Sequence, residues 1–72
     1  MTRAKFIVAM AREIAAAGRL TARRSLQLAA EAYRAFVEGN GIEFGDEAYA
    51  WDEDAARLIA REYEINHWEA AA

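Results

Sequence analysis

Only four residues of this chain break a helix outright: Gly18, Gly39, Gly41 and Gly45. There is no proline anywhere. Glycine and proline are the strongest local punctuation a sequence has, so their placement divides the chain into a few long helical stretches. The rest is rich in alanine and other helix formers, which points to helices before strands. With 72 residues and no cysteine, there is room for one domain and no disulfide to staple it. The missing cysteines also exclude thiolate catalysis and cysteine-ligated zinc. The longest apolar run, Phe6 to Met10, is far short of the ~20 residues a membrane helix needs. Arg12 and Glu13 interrupt it too early for a signal peptide. A cytoplasmic domain without a membrane segment is therefore expected.

The spacing predicts a first helix over residues 3–17. Phe6, Ile7, Met10, Ile14 and Ala17 share one face, and Lys5 and Arg12 lie opposite. Thr21 is a good N-cap for a second helix over 22–38, whose apolar face is expected to hold Ala22, Leu26, Ala29, Ala30, Tyr33, Phe36 and Val37. Leu28, Ala32 and Ala35 flank that face as a small patch for pairing with another helix. The Gly39-Asn40-Gly41 cluster ends the helix. Asp52 is the expected N-cap of a third helix over 52–68, with Glu53 and Asp54 on its positive dipole end. Its apolar arc is expected to hold Ala55, Leu58, Ile59 and Ile65, flanked by Tyr63 and Trp68. The expected fold is thus mainly α, a compact single domain of three helices. Residues 42–51 form an acidic loop or a short β-hairpin around Gly45-Asp46-Glu47, in preference to a helix starting at Asp46.

The net charge of -3 conceals two opposed regions. Residues 1–24 carry six basic side chains against Glu13, a net +5, and residues 25–72 carry a net -8. Glu43, Asp46, Glu47, Asp52, Glu53 and Asp54 fall in one stretch without a basic residue among them. Two readings stand side by side. One is a solvated loop whose last acids serve the third helix. The other is a negative patch that docks a basic partner groove, since such fields steer association.

Three other features bear on function. Thr21-Ala22-Arg23-Arg24-Ser25 after a glycine turn suggests a helix-turn-helix in which Arg19, Arg23, Arg24 and Gln27 read nucleic acid. Against it, the buried sites of such a motif would land on Arg24 and Gln27, and a pI near 5.0 lacks the usual basic footprint. Glu64 and His67 match the Glu-x-x-His of di-iron bundles, but Glu64 lies on the charged side of the helix, so no metal is expected. Glu62 falls inside the apolar arc. A buried carboxylate needs a partner, so it either pairs with Arg34 or Arg24 or belongs to an interface with Asn66 and Trp68.

Phe6, Tyr33 and Phe36 are expected in the core, while Tyr49, Trp51, Tyr63 and Trp68 are candidate interface anchors. No phosphate loop and no nucleophile–base set assembles around Ser25 or the single histidine, so neither an enzyme nor a cofactor is expected. The expectation is a small protein-binding module, an inhibitor or adaptor of the kind phages and mobile elements encode, facing a basic partner through its acidic patch. The partner-facing set is Glu43, Asp46, Glu47, Tyr49, Trp51, Asp52, Glu53, Asp54, Glu62 and Trp68. The alternatives are a nucleic-acid regulator using the arginines above and a structural oligomerisation unit, a homodimer burying the Leu28 side.

Overall fold

The computed structural model describes the backbone of residues 1–18 and 20–71 and the side chains of residues 1–18 and 20–63. Three helices make up the fold: α1 (Arg3–Gly18), α2 (Ala22–Asn40) and α3 (Glu53–Ala71), with no strand among the described residues. The mainly-α three-helix domain is what the sequence predicts. Between residues 42 and 51 the chain forms turns, so the loop is correct and the hairpin is not.

Four helix ends have an identifiable chemical cause. The Thr2 hydroxyl accepts from the Lys5 amide (3.2 Å) at the start of α1, and Thr21 caps α2 by accepting from the Arg24 amide (3.2 Å). Asp52 caps α3, with Oδ1 2.8 Å from the Ala55 amide. The second helix runs through Gly39 and stops at Gly41, which takes the left-handed conformation (φ 63°). Gly41 donates to the Glu38 carbonyl and Ile42 to that of Val37 (2.9 Å), the paired bonds of a Schellman ending.

The core is small and alanine-rich. Phe6, Ala9, Met10, Ala11 and Ile14 of α1 meet Ser25, Leu28, Ala29 and Ala32 of α2 and Ala56 and Ala60 of α3. Ser25 is the single buried polar residue among those described, and its Oγ donates back to the Thr21 carbonyl (2.8 Å), so burial leaves it satisfied. Alanine at the contact positions lets helix axes approach closely, and burial then comes from backbone-near surface rather than long side chains.

This packing corrects five expectations. Leu28 and Ala32, read as a pairing patch beside the core, are the core face of α2, and only Ala35 of that patch is exposed. Ala22, Leu26 and Ala30, read as core, are exposed. The helix is rotated by about a quarter turn, because it must face α1 and α3 together. Ala17 of α1 is exposed as well. In α3, Leu58 is 60% exposed and the packed face is Ala56 and Ala60, with Ala55, Ile59 and Tyr63 partly buried. That rotation also removes Glu62 from the core: it is exposed, so the pairing with Arg34 or Arg24 does not occur and no burial penalty arises.

An aromatic cluster closes the end of the bundle where the 42–51 segment crosses. Phe6 meets Tyr33, Phe44 and Trp51 edge-on at 6.2, 6.0 and 5.4 Å between centroids. Phe36 meets Tyr49 and Trp51 at 5.7 and 6.1 Å. Such pairs add to plain area burial through their edge-to-face electrostatics. The loop is held from above by this cluster rather than by a β ladder.

Candidate binding surface

The acidic stretch is exposed throughout, and much of it already has local work. Asp46 Oδ1 accepts from the Ala48 amide (2.9 Å). Its carbonyl accepts from both the Tyr49 amide (3.1 Å) and Trp51 Nε1 (2.8 Å). Asp52 is the α3 cap. Glu53 and Asp54 lie in the first turn of α3, where negative charge suits the helix dipole. They share Arg57, at 3.0 and 3.9 Å. Glu43 and Glu47 remain exposed and make no side-chain hydrogen bond or ion pair among the described residues. Tyr49 is 37% exposed and Trp51 half-buried, both rings engaged in the aromatic cluster. The structure therefore brings Asp46, Tyr49 and Trp51 together as one loop-building unit, with Glu62 far along α3 on an outward face. The side chains of Trp68, Asn66, Glu64 and His67, and Arg19 entirely, lie outside the described residues.

The basic residues also receive definite places. Arg23, Arg24 and Gln27 are exposed in the first turns of α2, with Arg24 Nη1 donating to Gln27 Oε1 (3.4 Å). The helix that carries them lies side by side with α1: residues 22–26 adjoin 8–15 and residues 30–37 adjoin 3–7. That is an antiparallel hairpin, whereas helix-turn-helix pairs cross at about 90–120°.

Two interactions fix α3 to one side of this hairpin. Arg61 Nε donates to Glu13 Oε1 at 2.7 Å, bridging α3 to α1. Tyr63 donates to the Glu31 carboxylate of α2, and its phenol is pushed above the ordinary value, first by burial and then by the Glu31 charge, with Arg24 opposing.

The opposite side of the hairpin is uncovered. There Val8 (40% exposed) and Leu26 (46% exposed) flank a groove of about 280 Å³ floored by Ala11, Ala15 and Ala22, with Arg12 at its edge. Further along the same seam, Ile7, Ala30, Tyr33 and Val37 line a second hollow of about 290 Å³ edged by Arg3 and Arg34. Neither hollow is lined by a carboxylate. Sequence reasoning missed this seam because it placed Leu26 in the core. A usable signal was present: α2 carries Leu26 and Leu28 on opposite edges of its apolar arc, more width than one helix contact buries.

Comparison with known protein families, curated proteins and solved structures found no match. Among the described residues, no helix is long and apolar enough to cross a membrane.

Proposed function

We propose that this chain is a non-enzymatic protein-binding module that works through the outer seam of the α1–α2 hairpin. One observation carries the reading: three of the seven residues of the apolar stripe of α2 (Ala22, Leu26 and Ala30) stay exposed beside an exposed Val8 on α1. Contiguous exposed apolar surface rimmed by polar groups is the usual mark of an interaction site. A 72-residue domain with an alanine-rich core has little apolar surface to leave unburied without a use for it. The acidic segment 43–54 is the weaker candidate, since Asp46, Asp52, Glu53 and Asp54 each have a local role in turn, cap or ion pair.

Affinity capture from a lysate of the source organism, run with the wild type, Leu26→Glu and Leu58→Glu, tests the reading. Both leucines are exposed, so both variants keep the fold, but only Leu26 lies in the seam. A partner retained by the wild type and by Leu58→Glu but lost by Leu26→Glu is the expected result. Identical capture by all three proteins, or capture lost only with Leu58→Glu, contradicts it.

A further inference from the structure

We propose that the seam takes one amphipathic helix of another protein, with an apolar stripe flanked by aspartates and glutamates. The assignment rests on the protein-binding reading above and adds the chemistry of the occupant.

The shape of the seam favours a helix. Two antiparallel helices side by side leave a groove on each side, and α3 already fills one of them through Arg61–Glu13 and Tyr63–Glu31. A helix laid in the other groove packs ridge into groove just as α3 does. With 16 residues at about 1.5 Å each, α1 offers about 24 Å of length, enough for about four turns of a partner. The open hollow of about 280 Å³ between Val8 and Leu26 has room for an apolar side chain, the kind of anchor that dominates helix-in-groove recognition.

Charge selects which helix. Arg12 stands at one end of the seam and Arg3 and Arg34 at the other. All three are exposed, and among the described residues none has an ion-pair or hydrogen-bond partner. Glu53 and Glu43 line the hollows that adjoin Arg12 and Arg3, but neither forms an ion pair with them and no carboxylate lines the seam itself. A helix with acidic flanks therefore meets three unpaired cations. One with basic flanks meets like charge, which rejects it. A second copy presenting its own seam by two-fold symmetry would set arginine against arginine. A nucleic acid would satisfy the arginines but offer little to bury Val8 and Leu26.

The test is fluorescence anisotropy at low salt, with the full chain and two labelled 18-residue synthetic peptides. Both peptides carry the same leucine–alanine stripe; one has glutamate flanks, the other lysine flanks. The glutamate peptide is expected to bind at least tenfold tighter than the lysine peptide, and Leu26→Glu to weaken it at least tenfold. The double variant Arg12→Glu/Arg34→Glu is expected to reverse the preference, with circular dichroism confirming that these surface variants are folded. Equal binding, no binding, or a preference that survives the charge reversal overturns the proposal. So does a homodimer in sedimentation equilibrium that Leu26→Glu dissolves, which would give the seam to a second copy. If Leu26→Glu loses its lysate partner while the two peptides bind alike, the binding-module reading stands and the acidic-helix assignment falls. If it captures what the wild type captures, the reading itself falls.

Discussion

Phe6 and Trp51 meet edge to face, with ring centroids 5.4 Å apart and planes at 61°. The indole Nε1 donates to the Asp46 carbonyl at 2.8 Å. One side chain thus joins the first helix to the loop before the third, closing the long stretch between α2 and α3. A domain of this size has a total stability of about 4–10 kcal/mol, so the contact is a large share of it. Trp51→Ala should cost about 2–4 kcal/mol in urea unfolding, through lost ring contacts and a cavity. Trp51→Phe should cost about 1 kcal/mol, chiefly the lost hydrogen bond. Equal losses for the two substitutions would mean that the ring contacts contribute little.

Gly45 and Gly39 should respond in opposite directions to alanine. Gly45 is the third residue of a turn closed by the Asp46 amide on the Glu43 carbonyl (3.1 Å), and its φ is 92°. An added Cβ meets no atom within 4 Å, so the cost of Gly45→Ala is backbone strain alone, about 1–2 kcal/mol. Gly39 lies inside α2 with equally open space, and Gly39→Ala should stabilise by about 0.5 kcal/mol through helix propensity. Thermal unfolding of the two variants checks both signs.

Tyr63 makes stability fall on the alkaline side. Its phenol is raised above 10.0 in the folded state, by burial first and by Glu31 second. Just above pH 10 the folded state therefore holds its proton where the unfolded state has released it, and stability drops as pH rises through that window. Below the unfolded value the contribution is fully present. Tyr63→Phe should flatten this decline and remove a late component from the tyrosinate absorbance titration. An unchanged titration would mean that Glu31 does not hold the phenol.

The helix ends were legible because their causes are local. Thr21 and Asp52 are caps by side-chain chemistry, and Gly41 ends α2 because glycine tolerates positive φ. Gly39 misled because a glycine near a helix end reads as a stop, whereas the helix runs two residues beyond its expected end to Asn40, whose side-chain Nδ2 donates to the Phe36 carbonyl (2.8 Å). The inward faces of α2 and α3 were not legible. Alanine and leucine are distributed around both helices, so periodicity admits two orientations. Contact with two neighbours at once chooses the one with Leu28, Ala56 and Ala60 inside. The aromatic cluster was not legible for a related reason: Tyr49 and Trp51 are far in sequence from Phe6 and Phe36, and nothing local announces their meeting. Of the candidate surface, the charge segregation could be read directly, but the apolar seam depended on the rotation of α2.

That rotation underlies both the core and the proposed binding surface, and two leucines on one helix report on it. Leu28 is 4% exposed and Leu26 46%. Equilibrium urea unfolding of Leu28→Ala and Leu26→Ala is the most direct test. The structure requires Leu28→Ala to lose about 2–5 kcal/mol and Leu26→Ala to stay within about 0.5 kcal/mol of the wild type. The reverse order, or equal losses, would put Leu26 in the core and close the seam on which the functional reading depends.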